Sequence, residues 1–180
     1  MKLKALKEPL LISVFTTLLI YFSFFQSEKN IALSEHLPPN ASVIFEGTVE
    51  DVSKSPLMHT LENSSDSILS DHITEILSMK KIQKNRLIVA SLPKESLNHE
   101  RRWAIIIQLG NKVPWIKSKL NHFKHSSWNK LENIAACPVW ELKSKKSETA
   151  LRVTTTENLL IACKSLYLDD IKLMIYYSHY

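Results

Sequence analysis

The sequence predicts an α+β fold: an N-terminal transmembrane helix, then one domain with a mostly antiparallel sheet and helices on one face. Three observations predict it. Residues 9–27 form an uncharged, largely apolar run. Strand-like and helix-like patterns then come in the order strand, two helices, two strands, helix, three strands, helix. The last three strands are joined by short polar turns, as in a meander of antiparallel hairpins.

The apolar run is 19 residues from Pro9 to Ser27, and a bilayer core takes about 20 as a helix. It is apolar on every side, unlike an amphipathic soluble helix. Lys2, Lys4 and Lys7 outweigh Glu8, which places the N-terminus in the cytoplasm. Tyr21 and Phe22 stand near the outer end, where aromatic rings favour the interface. The competing reading is a cleaved secretory signal, whose apolar region is about 7–15 residues ending in a small-x-small site. Phe24-Phe25-Gln26-Ser27 is a poor site, and Ala32-Leu33-Ser34 fits the pattern but lies well beyond the apolar core. The expectation is therefore a single-pass signal anchor in the cell membrane, with secretion after cleavage as the alternative. Either one exports the remainder of the chain.

The expected organisation is a cytoplasmic tail at 1–8, a transmembrane anchor at 9–27, a juxtamembrane linker at 28–41 and an extracytoplasmic α+β domain at 42–180. Pro38-Pro39 stiffens the end of the linker. Ser42–Val49 reads as a strand, and Glu50-Asp51 suits a helix start because carboxylates favour the positive end of the helix dipole. Leu57, Met58 and Leu61 give that helix an apolar face. Ile68, Ile73, Ile76, Leu77 and Ile82 approximate helical spacing. Arg86–Leu92 and Arg102–Leu109 read as strands, the second central because it is the most apolar. Val113–Asn129 predicts an amphipathic helix with Ile116, Leu120 and Phe123 on one face. Cys137–Leu142, Leu151–Thr155 and Asn158–Lys164 read as strands, and Asp169-Asp170 opens a last helix through Ile171, Met174 and Ile175.

Composition narrows the chemistry. Only Gly47 and Gly110 occur in 180 residues, against a usual share of about 7%. Phosphate loops, dinucleotide fingerprints and nucleophile elbows need glycines where backbone approaches a ligand, and none of these motifs is present in the sequence. No cofactor is indicated. Residues 28–100 carry 7 Lys/Arg against 11 Asp/Glu, whereas residues 101–148 carry 10 against 3. The basic segment 101–146 is a candidate surface for anionic lipid or cell-wall polymer through Lys117, Lys119, Lys124, Lys130, Lys143, Lys145 and Lys146. A solvated lysine-rich face explains the same charges. Export makes nucleic acid a poor partner. Cys137 and Cys163 are candidates for a disulfide in an exported domain, although both lie in apolar strand-like runs where buried thiols are common.

Several stretches together resemble a bacterial family of large membrane-anchored extracytoplasmic proteins of unknown function. They are Leu37-Pro-Pro-Asn-Ala-Ser-Val-Ile-Phe45, Ser55-Pro56-Leu57, Arg102-Trp-Ala-Ile-Ile-Ile107, Pro138-Val-Trp-Glu-Leu142 and Asn158-Leu-Leu-Ile-Ala-Cys163. These are strand and turn signatures, covering roughly residues 37–165, and they imply no catalytic residues. Asn40 stands where the family usually has an acidic residue, and such proteins usually continue for hundreds of residues. The apolar stretch Leu173–Tyr177 just before Tyr180 suggests a domain truncated at its C-terminus, with an exposed sheet edge.

Candidate chemistry is sparse. His122-x-x-His125 has a spacing that can hold a metal on a helix, but no Glu follows the first His and no third ligand is near. Glu50-Asp51 and Asp169-Asp170 are helix-start residues that diverge as neighbours. Glu46 becomes a catalytic candidate only if buried. Trp103, Trp115, Trp128 and Trp140 fit core packing better than a sugar-stacking surface. Asn40-Ala-Ser42 and Asn63-Ser-Ser65 match glycosylation sequons. The expected role is non-enzymatic, structural or interaction-based in the bacterial cell envelope, with other envelope proteins as partners. The alternatives are a module binding an anionic envelope ligand and the non-catalytic leading fragment of a larger envelope hydrolase.

Overall fold

Strands β2 (Arg86–Ser91), β3 (Trp103–Gln108) and β7 (Leu159–Ser165) are apolar at nearly every position because both faces of the sheet they form are covered. A computed structural model describes residues 32–58, 67–93, 102–122, 128–143 and 149–178 of the chain. With β1 (Ser42–Thr48), β4 (Trp128–Lys130), β5 (Val139–Lys143) and β6 (Ala150–Thr155), these strands make one seven-stranded sheet in the order β1-β2-β3-β7-β6-β5-β4. Every neighbouring pair is antiparallel.

Side chains alternate between the faces of a strand, and the register sorts them into two cores. One holds Leu87, Val89, Ile105, Ile107, Leu151, Val153 and Leu160, packed with α1 (Val49–Ser53), α2 (Ser67–Leu77) and α3 (Val113–His122). The other holds Ile88, Ala90, Ala104, Ile106, Ile161 and Cys163, packed with α4 (Leu168–Tyr177) and the 3-10 turn Leu33–His36. The expectation of helices on one face is thus corrected: they cover both. Runs such as Leu87-Ile-Val-Ala90 lack the polar alternate positions that a one-sided sheet would show to water.

The packed domain also begins earlier than the expected boundary at Ser42. Leu33 and Leu37 are only 1% and 8% exposed, and the Tyr177 carbonyl accepts a hydrogen bond from His36 Nδ1 at 2.9 Å. Residues 32–41 therefore pack onto the domain through Leu33, His36 and Leu37. Among the described residues no helix is long and apolar enough to cross a membrane. The 9–27 segment lies outside the described residues.

Local chemistry explains most element boundaries. Thr48 caps α1 through a reciprocal box: its Oγ1 accepts from the Asp51 N–H at 3.2 Å, and Asp51 Oδ2 accepts from the Thr48 N–H at 3.0 Å. The Thr48 hydrogen bonds hold the Asp51 carboxyl below its ordinary value. α3 ends at His122, and Trp128-Asn129, expected at the end of that helix, instead open the edge strand β4. β4 is a strand the sequence reading missed. The C-terminal strand β7 lies in the middle of the sheet, between β3 and β6, so the edges are β1 and β4 rather than a C-terminal one.

One turn is strained. Ile134 and Cys137 exchange backbone hydrogen bonds of 3.0 and 2.8 Å around Ala135 and Ala136, whose φ values are 46° and 65°. Two consecutive left-handed residues mark the hairpin turn that prefers Asn-Gly, and each alanine costs roughly 1–2 kcal/mol there. Replacing both, Ala135→Asn with Ala136→Gly, is expected to raise unfolding free energy by about 1 kcal/mol, the glycine's extra unfolded-state freedom offsetting part of the relief. A higher denaturant midpoint at constant slope is the measurement.

Candidate functional site

The face of the sheet beneath α4 carries a cluster of buried charges. The register sets Glu141 on β5 opposite Arg152 on β6, and Arg152 opposite Cys163 on β7. Alternation turns Glu141, Arg152, Ser165 and Arg102 toward the same core as Ile161 and Ala104. The Glu141 and Arg152 side chains are 7% and 8% exposed. Arg152 Nε donates to Glu141 Oε2 at 2.8 Å, and its Nη1 donates to the carbonyls of Ser165 at 3.2 Å and Tyr167 at 3.0 Å. Arg152 thus holds both ends of the short link from β7 to α4.

A second pair lies beside it. Asp170, in the first turn of α4, accepts from Arg102 Nη2 at 2.5 Å and from the Ser165 hydroxyl. Arg102 Nη1 donates to the Pro93 carbonyl at 3.0 Å, and the guanidinium lies 5.1 Å from the Tyr167 ring centroid. Asp169 turns away and pairs with Lys172 at 2.8 Å on the surface. The adjacent carboxylates diverge, as expected for helix-start residues. The cluster balances two guanidiniums against two carboxylates, and its bonds join β3, β5, β6 and β7 to the start of α4. Its chemistry is that of a structural clamp.

The other candidates fall elsewhere. Glu46 is exposed and bridges to Arg86 at 2.9 Å across β1 and β2, so the burial that would have made it catalytic is missing. Glu50 pairs with Lys54 along α1 at 2.5 Å. All four tryptophans belong to the core on the α1–α3 side, Trp103 and Trp140 buried, Trp115 and Trp128 partly so. His122 ends α3, while His125 and Asn63 lie outside the described residues. Among the described residues no group of three or more His, Cys, Asp or Glu side chains could hold a metal ion.

The four candidate lysines among the described residues do not all share one surface. Lys119 is exposed and Lys117 half-buried on α3. Lys130, opposite Trp140, takes the α1–α3 side of the sheet. Lys143 takes the α4 side, 3.7 Å from Glu141. Lys124, Lys145 and Lys146 lie outside the described residues. Cys137 and Cys163 are buried thiols, not bonded to each other. Cys137 lies in the turn before β5, Cys163 is on β7 in line with Glu141, and β6 separates those two strands, a gap of at least roughly 10 Å over two strand spacings, whereas a disulfide needs Cα atoms within about 7 Å. Burial pushes both thiols up from their ordinary value, and the Asp170 charge adds to the effect at Cys163. Thiolate chemistry is therefore suppressed at both.

Sequence reasoning missed Arg102, Glu141 and Arg152. A signal was present: opposite charges inside apolar runs, Val139-Trp-Glu-Leu142 and Leu151-Arg-Val153, on consecutive hairpin strands. Comparison with protein-family models, curated proteins and solved structures returned no match to the chain.

Proposed function

We propose that the chain is a single-pass membrane-anchored, extracytoplasmic module with a structural or interaction role in the bacterial cell envelope. The observation that carries the retained anchor is Leu33. The small-x-small pattern Ala32-Leu33-Ser34 is where a signal peptidase would find its site, yet Leu33 is 1% exposed in the core beneath α4. Cleavage after Ser34 would delete that side chain and break the 3-10 turn leading to His36. A domain that needs Leu33 argues against cleavage at that site. The use of the buried carboxylates favours a non-enzymatic role: Glu141 and Asp170 are committed to Arg152 and Arg102. The split of the lysines between two faces weighs against an anionic-ligand module built on 101–146.

The test is the mass and location of the mature chain, carrying a C-terminal tag and expressed in a bacterium. The expected result is an uncleaved species of 20.7 kDa plus the tag, retained in membranes through alkaline carbonate washing, with the C-terminus open to protease in spheroplasts. A soluble species beginning near Glu35 would sink the reading.

A further inference from the structure

We infer that Lys164 and Trp103 form a binding site for a small monocarboxylate on the α1–α3 face of the sheet. Three observations lead to it, and none depends on the membrane anchor.

Lys164 is a buried cation without a counter-charge. It is 4% exposed, and alternation from Leu160 and Ala162 turns its side chain toward the α1–α3 core. Taking an ammonium out of water is costly unless acceptors go with it. Among the described residues no carboxylate and no hydrogen-bond acceptor meets it. The buried carboxylates of Glu141 and Asp170 serve the opposite face, committed to Arg152 and Arg102.

Trp103 on β3 stands directly opposite Lys164 on β7. It is 6% exposed, and its indole N–H is buried with no acceptor. Both groups can only donate. Unpaired buried donors are uncommon. Two of them as cross-strand neighbours, with Cβ atoms roughly 4.5–5.5 Å apart, call for one acceptor between them. A carboxylate offers an oxygen to each donor and one negative charge to the one cation. A dianion such as phosphate brings a second charge that no neighbouring cation on this face balances.

The rest of the cross-strand row sets the size of the ligand and its way in. Ala162 precedes Lys164 on the same face and is the smallest side chain of that core. On the side away from Trp103 the row continues into buried Leu151 and Leu142. On the other side it runs through half-buried Ser91 to exposed Ser42. The acid therefore enters from the β1 end, and its body is short and aliphatic.

The test follows the indole N–H signals of the full chain by NMR in a mild detergent, with Trp103→Phe and Trp128→Phe to assign them. Sodium acetate, sodium chloride and sodium phosphate are titrated separately near neutral pH. The expected result is a saturable downfield movement of the Trp103 signal with acetate. Half-saturation should come roughly tenfold below that with chloride, which offers one atom in place of two oxygens. Trp128 is the internal control. Its indole N–H is also buried without an acceptor, but it lies on the same row three strand spacings from Lys164, roughly 14 Å, so its signal should stay still. Lys164→Met removes the charge at similar length and should abolish the saturable movement. A Trp103 signal that does not saturate with acetate, or that moves only as much as the Trp128 signal, overturns the inference. Chloride or phosphate acting as tightly as acetate overturns the carboxylate assignment. Saturation that survives Lys164→Met puts the anion elsewhere and also overturns it. Should that variant fail to fold, the three anions and two indoles of the native chain still decide.

Discussion

Replacing Glu141 by alanine is expected to cost about 3–5 kcal/mol of folding stability, the usual effect of removing one partner of a buried ion pair. The cost arises mainly in what is left behind. Arg152 remains charged, and its guanidinium is 8% exposed beneath α4 with its Nε partner gone. Lys143 provides the control. It lies 3.7 Å from the other Glu141 oxygen, but its own side chain is 72% exposed, so Lys143→Ala should change stability by no more than about 1 kcal/mol. The double variant Glu141→Met with Arg152→Met removes both charges and should recover part of the loss. Full recovery is not expected, because the buried Ser165 carbonyl also loses Arg152, and an unsatisfied buried acceptor costs about 1–3 kcal/mol. Urea unfolding of the four chains separates these effects. A Glu141→Ala loss no larger than that of Lys143→Ala would mean that water reaches the pair and that the clamp does not hold α4. For a domain whose total stability is typically about 5–15 kcal/mol, the predicted loss would leave a substantial unfolded fraction.

The strands of the sheet were legible because their signals were local. Leu87-Ile-Val-Ala90 and Trp103–Ile107 are apolar without interruption, and the hairpin from β6 to β7 turns at polar Glu157-Asn158. Antiparallel pairing followed from the short connections. What the sequence reading missed was set by distant residues. The absence of polar alternation in β2 and β3 already called for two covered faces, but which elements supply the second is decided by α4 and by Leu33, more than a hundred residues apart. The Ala135-Ala136 turn carries no Gly or Asn to announce it, so neither that turn nor the short strand β4 before it stood out. Glu141 and Arg152 read as ordinary strand charges until the register set them opposite each other. The same register separates lysines that are close in sequence. Lys130 and Lys143 lie in one basic stretch of sequence, and the pairing of β4 with β5 sends them to opposite sides of the sheet.

The two-sided core makes a prediction that a one-sided sheet would not. Ile105 and Ile106 are consecutive on β3 and point to opposite faces, Ile105 toward α1–α3 and Ile106 toward α4. Ile106 is fully buried between Ile88 on β2 and Ile161 on β7. Truncating either to alanine should cost about 2–5 kcal/mol, the lost burial plus the cavity left in a packed interior. Ile44→Ala, at a position 52% exposed beside the irregularity in edge strand β1, should stay within about 0.5 kcal/mol. The comparison turns on Ile106. If helices covered only the α1–α3 face, its side chain would meet water, and its truncation would behave like that of Ile44 while Ile105→Ala remained costly. Comparable losses at 105 and 106 require a second apolar layer over the Ile106 face. That layer is α4 with the turn at Leu33, so the further loss of Leu33 should act on the same core. Leu33→Ala combined with Ile106→Ala should therefore depart from additivity, whereas Leu33→Ala combined with Ile105→Ala should be close to the sum of the single effects.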